Sequence, residues 1–428
     1  MKVLMFGWEF PPHISGGLGT ACYGLTKGMS NIPGIEILFV VPKAFGDEDQ
    51  RTIRLLGANE VEIGKQIANF QEILESIKYI EVNSNIIPYT DPEEYFELVN
   101  SDKTGTKQFI HTHFSGKVEF TGGYGQNLFQ EIANYAMIAS LIAGEYEIDV
   151  IHAHDWLTYP AGIAAKQVSG KPLVVHVHAT DFDRSGGSVN PAVYELEKKG
   201  LDAADRVITV SNLTRETVIN KYGINPKKVF TVYNAVDPVV ESNMAGYNRN
   251  LKEKIVTFLG RITLQKGPEY FIEVAHSVLQ KMDNVRFVMA GSGDMLTRMI
   301  HRAAALKIMD RFHFTGFLKG DDVYRMFSMT DVYVMPSVSE PFGISPLEAM
   351  QSNVPVIISR QSGVSEILHH AIKVDFWDIH AMADAIYGIL NYSGLSTFFK
   401  KYGKEEVENL KWENSAHKVK EIYDQIVK

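Results

Sequence analysis

Two carboxylates with seven residues between them, Glu340 and Glu348, stand where this chain has its clearest opportunity for chemistry. They lie in the stretch 332–358, VYVMPSVSEPFGISPLEAMQSNVPVII: an apolar run, a loop, a helix start and a second apolar run. In a parallel sheet the loops leaving the carboxyl ends of strands hold the ligands, and Glu340, Gly343, Ile344 and Ser345 fall on such a loop. A helix start there offers unpaired N–H groups and the positive end of a dipole, which suits an anion. Ser345-Pro346-Leu347-Glu348 also fits a capping box, with Ser345 as N-cap and Glu348 reaching back, and that alone is a sufficient reason for Glu348. Glu340 has no comparable structural reason. The pair suits a nucleotide, with Glu348 on ribose hydroxyls and Glu340 facing the group beyond the phosphates.

Cations to match an anion stand in Gly260-Arg261-Ile262-Thr263-Leu264-Gln265-Lys266-Gly267. Arg261 as a fork and Lys266 as a point charge would match a diphosphate. Gly16-Gly17-Leu18-Gly19 permits close backbone approach to a ligand, although it lacks the spacing of the dinucleotide fingerprint. Gly291-Ser292-Gly293-Asp294 reads as a tight turn into a helix. His152 and His154 alternate to one face of a strand, and His176 and His178 occupy another pair of positions on its neighbour. The spacing lacks the cues of a metal site, so a hydrogen-bonding histidine in a cleft is the better reading. Asp181-Phe182-Asp183 has D-x-D spacing and reads as a polar cleft loop.

These residues need elements to position them, and the chain supplies an alternating rhythm. Short apolar runs at 2–6, 35–41, 150–153, 173–177, 206–210 and 229–233 read as strands, interleaved with helical periods. A polar stretch at 234–253 suits a linker, after which strands return at 255–259, 285–289, 312–314, 332–335 and 354–358. Alternation of this kind means parallel sheets covered on both faces. The fold class is α/β, with two Rossmann-like, doubly wound domains facing each other across a cleft. The first spans 1–240, with an irregular insertion at about 44–125, and the second spans 250–411. The amphipathic helix at 412–428 is expected to cross back to the first.

Composition narrows the partners. A net charge of −9 with no basic block argues against nucleic acid and anionic membranes. One cysteine, Cys22, precludes an internal disulfide framework. The start MKVLMFG is too short an apolar run for a signal peptide, and no run suits a membrane span, so a cytoplasmic location is expected.

Assembled, these residues resemble the retaining glycosyltransferases of the two-Rossmann GT-B fold, in the glycogen synthase and family 4 group. The carriers are Trp8-Glu9-Phe10-Pro11-Pro12 with Gly16-Gly17-Leu18-Gly19, then His152-Ala153-His154-Asp155-Trp156 and Val232-Tyr233-Asn234-Ala235-Val236-Asp237. Gly260-Arg261 with Gln265-Lys266-Gly267, and Glu340-Pro341-Phe342-Gly343 with Leu347-Glu348, complete the set. The resemblance implies an NDP-sugar substrate, UDP-glucose or ADP-glucose, held chiefly by the second domain. Arg261 and Lys266 would neutralise the diphosphate and Glu348 would hold the ribose. Glu340 would lie by the sugar, and the N–H groups of Gly343, Ile344 and Ser345 at sugar and phosphate. His154 would contact the sugar from the first domain, while Gly16 and Gly17 approach the phosphates. The family is regarded as metal-independent, so no metal and no cofactor are expected. The sequence departs from bacterial glycogen synthases in having Ile14 where their KxGG pattern has lysine, which leaves the nucleotide open. The implied acceptor is an α-1,4-glucan, with another sugar or a cell-surface glycan as the alternative. Tyr89, Tyr95, Phe96, Phe109 and Phe120 in the insertion are candidates to stack on it. An epimerase or a non-catalytic sugar-nucleotide binder are the readings of another class.

Overall fold

A computed structural model of the chain describes residues 1–62, 117–238 and 252–427, apart from 15, 52 and 126. Among the described residues the first half holds seven parallel strands: β1 (Lys2–Phe6), β2 (Glu36–Val41), β3 (Arg54–Gly57), β4 (Val150–His154), β5 (Leu173–Val177), β6 (Arg206–Thr209) and β7 (Val229–Thr231). They lie in the order β3-β2-β1-β4-β5-β6-β7. The second half holds six: β8 (Lys254–Leu259), β9 (Val285–Ala290), β10 (Phe312–Gly316), β11 (Val332–Met335), β12 (Val356–Ser359) and β13 (Ile372–Val374), ordered β10-β9-β8-β11-β12-β13. Both sheets therefore reverse direction beside their first strand, at β1/β4 and at β8/β11. Central strands such as β5, LVVHV, are buried along their whole length, as strands covered on both faces must be. This is an α/β GT-B fold.

Helices α1 (Gly17–Ser30), α2 (Leu128–Glu145), α3 (Tyr159–Ser169), α4 (Asp181–Arg184), α5 (Pro191–Ala203) and α6 (Asn212–Tyr222) surround the first sheet. Around the second lie α7 (Pro268–Leu279), α8 (Leu296–Ala305), α9 (Asp321–Met329), α10 (Ser345–Gln351), α11 (Ile379–Asn391) and α12 (Ser393–Val407). No helix among the described residues is long and apolar enough to cross a membrane. The stretch read as an insertion begins later than expected, because β3 pairs with β2 and extends the sheet. Phe120 is a core residue and not a sugar platform: it is 5% exposed and meets the Tyr135 ring edge-on. Tyr89, Tyr95, Phe96 and Phe109 lie outside the described residues.

The last helix, α13 (Trp412–Asp424), packs against α1 of the first half. Its Trp412 and Tyr423 belong to the same core cluster as Cys22, Leu25 and Val150. The fit depends on small residues one turn apart. A Cβ added at Gly24 would lie 2.1 Å from the Trp412 ring, and one at Gly28 would lie 2.7 Å from the Trp412 carbonyl oxygen. Two hydrogen bonds join this second crossing to the first: Ser415 Oγ donates to the Tyr233 carbonyl at 2.6 Å, and Val236 N to the Leu410 carbonyl at 3.4 Å. Gly24→Val is expected to destabilise the protein by about 3 kcal/mol, the upper end for overpacking a core. Denaturant unfolding measures it, and an unchanged midpoint would mean that α13 does not rest on α1.

Candidate active site

The reversal at β8/β11 places two loops side by side, 260–267 after β8 and 336–344 after β11. Backbone contacts lock them together. Val338 N donates to the Gln265 carbonyl at 2.9 Å, and Gln265 itself is buried. Gly267, at φ +65°, passes so close that a Cβ there would lie 2.1 Å from the Pro336 carbonyl oxygen. The 291–293 turn is built likewise, with Gly291 against the Gly260 carbonyl and Gly293 against that of Ile262. It is a close-packed brace for the loop bearing Arg261.

On this platform Lys266 Nζ meets Glu340 Oε2 at 2.5 Å, and Ser337 Oγ donates to the same oxygen at 3.2 Å. Glu340 is 5% exposed. Its backbone also extends the sheet, with N donating to the Gln361 carbonyl and its own carbonyl accepting from Gly363 N. Glu340 therefore does have a structural reason for its position, contrary to the expectation from sequence. Arg261 is exposed on the same loop, its guanidinium donating to Gln265 Oε1 at 3.2 Å.

The capping box does not form. Ile344 is the N-cap of α10, no side chain caps it, and Ser345 is already helical. The physical reason is tertiary: Ser345 Oγ pairs with the buried Tyr333 hydroxyl at 2.7 Å. Gly343, at φ +97°, bends the chain into the helix beside Met335 and Glu340. Glu348 is thereby left without a capping task. Its side chain is partly accessible yet embedded deeply enough that desolvation raises its carboxyl to about 7. No hydrogen bond reaches that carboxylate among the described residues, so it remains available to hydroxyl donors.

Across the cleft, Gly16 is extended and Gly17 begins α1. A Cβ at either would meet nothing within 4 Å, so this helix start faces open space. His154, expected at the sugar, is fully buried and hydrogen-bonded through Nδ1 to His178 Nε2 at 2.9 Å. His178 is the more accessible of the two. Pairing of His154 with His176 across β4 and β5 brings His152, His154 and His176 to one face, not to separate positions. Four imidazoles stack there, with centroids 4.4 Å apart for His152–His154 and for His176–His178. Burial lowers the pKa of all four, so they are neutral. One ring nitrogen from each of His152, His154 and His176 lies within 4.8 Å of the others. The arrangement is a stack.

Asp181 and Asp183 belong to the short helix α4, not to an open loop. Behind it Arg184 pairs with Glu197 at 3.0 Å and lies 3.5 Å from Asp155. Glu197 also accepts from the Tyr222 hydroxyl, and desolvation raises its carboxyl to about 7. Asp155, at φ +60°, accepts from His178 N at 2.7 Å and shapes the end of β5. Sequence reasoning missed this buried network. The clue was three charged residues crowded between apolar runs, at 181–184.

Two family models match in tandem: Glycosyltransferase Family 4 over residues 101–240 and Glycosyl transferases group 1 over residues 239–406. An uncharacterized glycosyltransferase of Methanocaldococcus jannaschii is 28% identical, over 99% of this chain and 98% of its own. A glycogen synthase of Mycobacterium tuberculosis is 21% identical over 99% of this chain and 94% of its own. Among solved structures, sucrose-phosphate synthase from Thermosynechococcus elongatus superposes with a TM-score of 0.71 at 18% identity, covering 99% and 98% of the two chains.

Proposed function

The chain is a GT-B glycosyltransferase of the group 1 and family 4 type, and from that premise we propose that it transfers a hexosyl group, glucose above all, from an NDP-sugar to a glycan hydroxyl with retention. The observation that carries the reading is the Lys266–Glu340 pair beside exposed Arg261, at the sheet reversal where ligands bind. The leaving group is a nucleoside diphosphate, so the chemical task is to stabilise its developing charge. Lys266 has donors to spare: an ammonium offers three, and Glu340 takes one. Arg261 can fork two phosphate oxygens. Glu348, neutral or charged near neutral pH, stands where it can accept from ribose hydroxyls. Retention follows from front-face attack, in which the departing phosphate accepts the proton of the acceptor hydroxyl. The two cations take the part that a metal plays in D-x-D enzymes.

The acceptor we propose is an α-1,4-glucan, the chain that a glycogen synthase elongates. The test supplies UDP-glucose or ADP-glucose with and without glycogen, with and without a chelator, and follows nucleoside diphosphate and polymer. Acceptor-dependent release that survives chelation is the expected result. Turnover only on a different sugar acceptor would keep the transferase and discard the glucan. Isomerised NDP-sugar without any acceptor would replace the reading by an epimerase.

A further inference from the structure

The segment 178–190 of the first half reaches across the cleft and touches both loops that carry the charged pair. Asp183, 5% exposed, divides its carboxylate between two tasks. Oδ2 accepts from the Thr180 backbone N–H and hydroxyl, both at 2.8 Å, which closes α4 on itself. Oδ1 accepts from Ser339 Oγ at 2.6 Å, and Ser339 is the residue immediately before Glu340. A few residues on, Gly186 at φ +61° approaches the 260–267 loop: a Cβ there would lie 3.1 Å from Leu264 Cδ2, two residues before Lys266. One rigid element thus meets the Lys266 loop and the Glu340 loop together.

Its rigidity has a visible source. Asp181 N donates to Glu197, Asn190 N donates to Asp181 Oδ2 at 2.5 Å, and Arg184 pairs with Glu197 while donating to the Ala179 carbonyl. All of these partners are in the first half, so the segment moves with it. Both loops belong to the second half, tied to each other through Val338 N and the Gln265 carbonyl.

We infer that Asp183 is a positioning residue: through Ser339 it holds the Glu340 loop, and with it the Lys266–Glu340 pair, in register when the two halves are together. Both of its carboxylate oxygens are engaged, Oδ2 by Thr180 and Oδ1 by Ser339, so it acts through those contacts. The contact exists only while the halves meet. Donor binding to the second half alone should therefore be nearly indifferent to it, whereas turnover depends on it. The inference rests on the glycosyltransferase reading for its kinetic part but not for its structural part.

The experiment compares wild type with Ser339→Ala, Ser339→Thr and Asp183→Ala in the full chain. Hydrogen exchange without ligand is the first readout. Amides of 337–342 and 264–267 should exchange about tenfold faster in Ser339→Ala and Asp183→Ala, the scale of a lost bond to a charged acceptor. Those of β8 and β11 should be unchanged. Ser339→Thr keeps the hydroxyl and should restore wild-type exchange. With UDP-glucose and glycogen, kcat should fall about tenfold in both alanine variants while the affinity for UDP by calorimetry changes less than twofold. The double alanine variant should be no worse than either single one. Unchanged loop exchange in Ser339→Ala, or a kcat equal to wild type, would overturn the inference. If wild type turns over no donor, the proposed function fails and exchange alone still decides the positioning role.

Discussion

Lys266→Ala should lower kcat by about 10²–10³, the cost of removing a preorganised group from a site of developing charge. The effect has two parts, and the structure says how to separate them. Lys266 faces a Glu340 carboxylate that is nearly inaccessible to water. Removing the ammonium leaves that carboxylate buried and unpaired, which costs about 3–5 kcal/mol of stability on the scale of broken buried pairs. Glu340→Gln in the Lys266→Ala background removes the stranded charge and should recover most of that stability. It should not recover turnover, because no cation has been returned to the diphosphate. Unfolding free energy and kcat measured on the same preparations test both statements. Recovery of turnover by the double variant would mean that Lys266 serves only to neutralise Glu340.

The second large effect is acid instability. The four stacked imidazoles have their pKa values lowered by burial, from an unfolded value near ~6.5. Below that pH the unfolded chain binds protons that the folded stack refuses, so stability falls as pH falls. Each histidine contributes a slope of ~1.4 kcal/mol per pH unit, or ~5 for the four together. Glu348 and Glu197 work in the opposite sense. Their carboxyls sit at about 7 when folded, so the folded state takes up protons first and gains stability as pH falls from 7 towards the unfolded carboxylate value near 4.5. Their joint slope of ~3 kcal/mol per unit offsets part of the loss in that interval and is exhausted below it. Stability should therefore change little at first below neutrality and decline as pH falls below ~6.5. His176 is the informative probe, since both its ring nitrogens are buried without a partner among the described residues. His176→Leu should flatten the slope by ~1.4 kcal/mol per pH unit without loss of stability at pH 7. An unaltered slope would show that the stack does not govern acid unfolding.

What the sequence made legible was whatever local pattern controls. Buried parallel strands such as Val332–Met335 announce themselves as apolar runs, and Arg261 and Lys266 fall by simple counting on the loop after a strand. Loops at strand ends converge in every doubly wound sheet, so their meeting with Glu340 followed from topology. What was hidden depends on a neighbour far along the chain. Ser345 has the right type and spacing for a cap, but Tyr333, on the strand before, takes its hydroxyl. The four histidines could be counted, yet only the register of β4 against β5 stacks them. The helix Ser393–Val407 was passed over although Leu395, Phe398 and Tyr402 recur at helical spacing, and the structure leaves all three exposed. The contact of Asp183 with Ser339 spans 156 positions and leaves no trace in either segment.

The return of α13 to the first half has a mechanical consequence. The two halves are joined by two lengths of chain, one leaving at 234–238 and one returning at 408–411, and hydrogen bonds from Ser415 to Tyr233 and from Val236 to Leu410 tie the lengths together. A single tether would let the halves swivel freely. Two, fastened side by side, restrict that swivelling. The opposing lips of the cleft, Asp183 on one and Ser339 on the other, are thus held to one another by a contact that lies far from both tethers in the sequence.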